Sequence, residues 1–193
     1  AQAGQTAFGE NYVQEGVDKI TQLAQSPNCP SLVWHFIGPL QSNKTRLVAE
    51  HFDWVHSIDR LKIAARLSEQ RPTSLKALQV LIQVNTSGEA SKSGVEPEQV
   101  LELSQQLSAL PNLQLRGLMT IPSNTDNSET LRDEFLTCQR LLTQLQQAGH
   151  RQADTLSMGM SADLELAIAC GSTCVRVGTA LFGSRTTPQN NSL

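Results

Sequence analysis

At 193 residues with a formal net charge of -3, the chain is long enough for one sizeable core and too evenly charged to clamp a nucleic-acid backbone. Its basic residues are scattered, its aromatics are few, and no apolar run reaches membrane-spanning length. Nucleic acid and membrane are therefore excluded as partners, the N-terminus shows no charged-then-apolar signal pattern, and the sequence reads as a single domain over 1–193.

The opening residues AQAG read as the tail of a helix closed by Gly4, followed by a short strand at Thr6 to Gly9. Asn11 to Gln25 is helical, with Val13, Val17, Ile20 and Ala24 on one stripe. Pro27 and Pro30 break the chain before a strand at Val33 to Gly38. A helix follows at Asn43 to His51, then a strand at Trp54 to Asp59 and a helix at Arg60 to Arg71, ended by Pro72. Ala77 to Asn85 is the longest strand signal, its near-continuous apolar run fitting burial on both faces of a parallel sheet. Pro97 opens a helix with Val100, Leu103, Leu107 and Leu110 on one face, and Leu115 to Ile121 is a strand. Ser128 to Ala148 is the clearest helix, with Leu131, Phe135, Cys138, Leu142 and Leu145 in register and Gly149 closing it. The stretch from Asp154 to Gly183 then supplies a strand, a Ser-Met-Gly-Met-Ser turn, a helix and a last strand, CVRVG.

This strict alternation predicts seven parallel strands with right-handed helical crossovers. No GxGxxG follows the first strand, which disfavours an open dinucleotide-binding sheet. The expected fold is an α/β, (β/α)8 TIM-type barrel whose first strand and most of whose first helix are absent from this sequence. A complete barrel of this kind runs to roughly 230 to 250 residues.

Barrel sites form at the carboxyl ends of strands, and phosphates favour the loops after the last two. Those loops here are Ser157-Met158-Gly159-Met160-Ser161 and Gly178-Thr179. Gly159 and Gly178 admit close backbone approach, and Ser161, read as the N-cap of the next helix, and Thr179 offer hydroxyls. Asp163 and Glu165 would repel a phosphate if they faced it, and are expected to point away. Arg176 lies inside an apolar strand and needs a partner, either an ion pair across the barrel or a ligand. Asn11 stands near the same mouth and reads first as a helix N-cap; Asp59 likewise reads as a cap. His35 and His56 read as satisfied core groups. The cysteines Cys29, Cys138, Cys170 and Cys174 fit no zinc or Cys-x-x-Cys spacing and read as structural thiols of a cytoplasmic protein. No metal-ligand or Ser/His/Asp constellation is present, so neither metal ligands nor catalytic residues are assigned.

FGENYVQE at 8–15, WHFIGPLQSNK at 34–44, HSIDR at 56–60, RGLMTIP at 116–122, LSMGMSADLELAI at 156–168 and VRVGTALFG at 175–183 resemble the pyridoxal phosphate homeostasis protein family, whose fold resembles the barrel domain of alanine racemases. The resemblance implies a pyridoxal 5'-phosphate cofactor, with Ser157, Gly159, Met160, Ser161, Gly178 and Thr179 around its phosphate, Arg176 donating to the pyridine nitrogen and Asn11 near the ring. It implies a monomer that holds the cofactor reversibly for vitamin B6 homeostasis, without established turnover, and passes it to apo-forms of pyridoxal phosphate enzymes. The family's Schiff-base lysine lies on the first strand in a segment resembling AVSKTKP, so the anchor is expected upstream of Ala1. Lys44 and Lys92 are not assigned its role. The alternative is a pyridoxal phosphate-dependent amino-acid racemase-like enzyme, which would need a further acid/base residue; the one tyrosine is Tyr12.

Overall fold

The computed structural model describes residues 1–89 and 91–183. Six strands, β1 (Ala7–Glu10), β2 (Val33–Phe36), β3 (Trp54–Ile58), β4 (Leu78–Gln83), β5 (Leu113–Met119) and β6 (Thr155–Ser157), form one sheet in sequential order. All neighbouring pairs are parallel. Helices α1 (Val13–Ala24), α2 (Thr45–His51), α3 (Leu61–Gln70), α4 (Val100–Ser108) and α5 (Ser128–Gln147) make the crossovers, and α6 (Leu164–Ala169) and α7 (Thr179–Phe182) complete the described chain. Sequential parallel order with helices between strands is the winding of a (β/α) barrel.

The expected last strand is not one. CVRVG is reduced to a single parallel bridge, Cys174 to Ser157. It has a neighbour on one side alone among the described strands, so only one ladder is there to hold it extended.

Helix-facing strand residues make the main core. Val55, Ile58, Val80, Ile82, Leu118 and Leu156 pack with Val48, Ile63, Leu67, Leu103, Leu107, Phe135 and Leu145 from the helices. At α5 the buried stripe runs through Leu141, with Leu142 only partly buried. Asn127, whose side chain accepts from the Glu129 and Thr130 amides, caps α5 where the sequence places its start. Arg71, buried at the end of α3, donates to the carbonyls of Ala49, Phe52 and Lys76 and ties α2 to α3.

The pairing slips by one residue between Val80/Leu81 of β4 and Leu115/Gly117 of β5. Gly117 takes φ 142° there, and a Cβ on it would lie 1.9 Å from the Thr155 carbonyl oxygen. Only glycine lets β6 approach β5 at this bulge.

Candidate functional site

β6 and the Cys174–Arg176 segment end side by side at the carboxyl end of the sheet. Met158 N–H donates to Cys174 O at 3.2 Å and Arg176 N–H to Gly159 O at 2.9 Å. The corner needs glycine at 159: φ is 96°, and a Cβ would meet that of Ala167 at 2.6 Å. Gly178 leads into α7, with nothing within 4 Å of where its Cβ would stand. No described residue takes the side-chain hydroxyl of Ser161 or Thr179, and both residues are exposed.

Three expectations change here. Ser161 does not cap α6; Asp163 occupies the N-cap position. Asp163 does not turn away, because its Oδ1 accepts the Met160 amide at 2.6 Å. The Met160 N–H is thus engaged within the turn. Ser157 is fully buried rather than open at the turn, its hydroxyl held between Arg176 and His56 and its carbonyl accepting from Arg176.

Arg176 finds neutral oxygens rather than an acid. Its Nη1 donates to Ser157 O at 2.7 Å and Ser157 Oγ at 2.8 Å, and its Nη2 to Thr120 O at 2.9 Å. Its Nε–H has no partner among the described residues. Burial pulls the guanidinium pKa down, and Cys174 and Asp163 oppose that. It remains a cation, so it presents donors and no acceptor.

Asn11 follows β1, at the opposite edge of the sheet from β6. It is not the cap of α1, since Tyr12 holds that position. The Asn11 backbone instead packs on Gly38, where a Cβ would stand 2.1 Å from its carbonyl oxygen. Asp59 is no cap either; it pairs with Arg60 at 2.7 Å. Lys92 is tied to Pro122 O at 2.7 Å and Glu89 at 3.3 Å, and Lys44 is exposed.

Sequence reasoning missed a polar chain on the sheet face away from the helices. His35 Nδ1 lies 2.8 Å from His56 Nε2, and His56 Nδ1 lies 2.9 Å from Ser157 Oγ. Burial pushes the His35 pKa down to about 4, against an upward pull from Asp53. His56 is held well below the ordinary value by burial, then by His35 and Arg176. The His35 ring stacks on Trp54, and both line a cavity of about 370 Å³ with His56, Arg116, Asp154, Thr155, Thr173 and Cys174. Arg116 pairs with Asp154 at 2.6 Å and lies 5.1 Å from the Trp54 ring centroid. Two histidines on consecutive parallel strands were the available signal: His35 is opposite Trp54, so alternation returns His56 to the same face.

The comparisons agree with this architecture. The family description of the alanine racemase N-terminal domain matches residues 1–186. The pyridoxal phosphate homeostasis protein of Vibrio cholerae is 62% identical over 98% of this chain and 80% of its own length. That of Escherichia coli K12 is 55% identical over 95% and 77%. Among solved structures, Synechococcus elongatus PipY with bound PLP is 40% identical at TM-score 0.83, over 94% of this chain and 84% of its own. Corynebacterium glutamicum alanine racemase, at 17% identity and TM-score 0.71, over 92% of this chain and 48% of its own, shares the fold.

Proposed function

The chain belongs to the alanine racemase N-terminal domain family, among its pyridoxal phosphate homeostasis proteins, and from that membership we propose that it binds pyridoxal 5'-phosphate as a reversible holder of vitamin B6. The observation that carries the reading is the pairing of Arg176 with the Gly159 corner. A donor-only side chain stands beside a turn whose Ser161 hydroxyl is open, and Gly178 and Thr179 follow it. A phosphate ester accepts from hydroxyls and amides, and a pyridine nitrogen accepts from a guanidinium N–H, so the donor set fits this group.

The cofactor supplies an aldehyde and an electron sink whose strength depends on protonation of its ring nitrogen. Arg176 cannot give up a proton at neutral pH, so it would hold that nitrogen as an unprotonated acceptor. Such pairing suits storage and release better than carbanion chemistry. Gly159 and Gly178 would let the backbone approach the phosphate, with Ser161 and Thr179 donating to it. Ser157 would act behind Arg176, and Asn11 would approach from the β1 edge. The Met160 amide would be available once Asp163 yields it. We further propose a cytoplasmic monomer that hands its cargo to apo-enzymes. Among the described residues no helix is long and apolar enough to cross a membrane.

Equilibrium dialysis against pyridoxal 5'-phosphate and pyridoxal tests this. The phosphate ester should bind at least tenfold more tightly, and Ser161→Ala with Thr179→Val should narrow the gap. Arg176→Gln should weaken both about tenfold, the magnitude of a charge-assisted hydrogen bond. Equal binding of the two compounds by the unaltered chain would refute the proposal.

A further inference from the structure

The hydrogen bonds from Arg176 to Ser157, His56 and His35 form one continuous line from the candidate ligand corner to the cavity at the opposite end of the strands. Chemistry gives that line a direction. A guanidinium has no acceptor, so Ser157 Oγ must accept from Arg176. The Ser157 proton then has His56 Nδ1 within reach at 2.9 Å. The competing arrangement hands it to the Cys174 sulfur, a weak acceptor, and aims the His56 N–H dipole at the Arg176 charge. The first arrangement turns every dipole away from the cation. His56 then carries its proton on Nε2 and donates to His35 Nδ1, and His35 keeps its own proton on Nε2, at the cavity.

We propose that His56 and His35 are positioning residues for Arg176. Their neutral Nε2–H tautomers orient the Ser157 hydroxyl, and that hydroxyl fixes the guanidinium with its Nε–H left open for an acceptor on the ligand. The relay rests on the reading that Arg176 meets the cofactor ring, but it leaves marks that need no ligand. Burial of both imidazoles keeps them neutral, as the relay requires, because an imidazolium has no lone pair to receive the Ser157 proton.

Nitrogen NMR of the full chain with ¹⁵N-histidine, assigned through His35→Gln and His56→Asn, reads the tautomers directly. Bare Nδ1 and protonated Nε2 on both residues at neutral pH are expected. A protonated Nδ1 on either, or signals averaged between tautomers, would overturn the relay. The Arg176 Nε–H signal reads the positioning. It should be sharp in the native chain and in His56→Asn, whose Oδ1 can take the Ser157 hydroxyl, and broadened in His56→Leu. Pyridoxal 5'-phosphate affinity by dialysis should follow: about tenfold weaker in His56→Leu, within threefold of native in His56→Asn. Equal losses in the two variants would leave only packing and refute the positioning role. If the native chain binds no pyridoxal 5'-phosphate, the reading of the site fails, while the tautomers and the Arg176 signal still decide the relay.

Discussion

Arg176 shows how a single residue type carries chemical information. Nothing else in its segment can donate several hydrogen bonds and never accept, and that one-sidedness polarises Ser157 and both histidines behind it. The cysteines show the reverse, where place overrides type. Burial, then Glu134, pushes the Cys138 thiol up to about 12 from an ordinary 9.0, with Arg176 pulling weakly the other way. At pH 8 that leaves roughly a thousandfold fewer thiolates than an ordinary cysteine has. In the native chain, maleimide labelling followed by peptide mapping should therefore modify half-buried Cys29 first and spare Cys138 and Cys170 until denaturant is added. Labelling of Cys138 at the rate of Cys29 would show that the core around α5 is not closed. His35 and His56 were readable one at a time as core groups. Their partnership was not, because it depends on β2 lying beside β3.

Most elements follow from local pattern. The apolar stripe of α5, the helix opened at Pro97 and the apolar run of β4 all stand where the sequence places them within a few residues. What local pattern did not reveal is where an element is denied a neighbour or made to bulge. CVRVG has the composition of a strand and forms only a bridge. Gly117 has no turn signal around it, and its need for glycine comes from Thr155, far along the chain. Gly117→Ala should cost about 3 kcal/mol or more, as positive-φ strain adds to a backbone clash that parts β6 from β5. Urea unfolding measures it; a loss below about 1 kcal/mol would mean the bulge relaxes. Since β6 carries Ser157, the same variant should also weaken pyridoxal 5'-phosphate binding.

For the molecule as a whole, the buried histidines set an acid limit. With His35 at about 4 when folded and 6.5 when unfolded, the unfolded chain binds more protons throughout that window. Stability is therefore full above pH 6.5 and falls as the pH drops toward 4. At about 1.4 kcal/mol per pH unit, His35 alone accounts for about 3 kcal/mol, and His56 acts in the same direction. Urea midpoints at pH 7 and pH 5 should differ in the native chain and differ less in His35→Gln; equal dependence in both would remove His35 from the account. By itself the sequence determined the alternation of strands and helices, hence a parallel barrel sheet, and its motifs pointed to the family and to the two neighbouring corners. These are properties of local pattern and residue type. The tertiary structure alone decided that Asp163 takes the Met160 amide, that Ser157 turns inward, and that two histidines join Arg176 in one polarised line. Those outcomes depend on which strands lie side by side and how far each is slipped, and no periodicity within a single element encodes a distance between two.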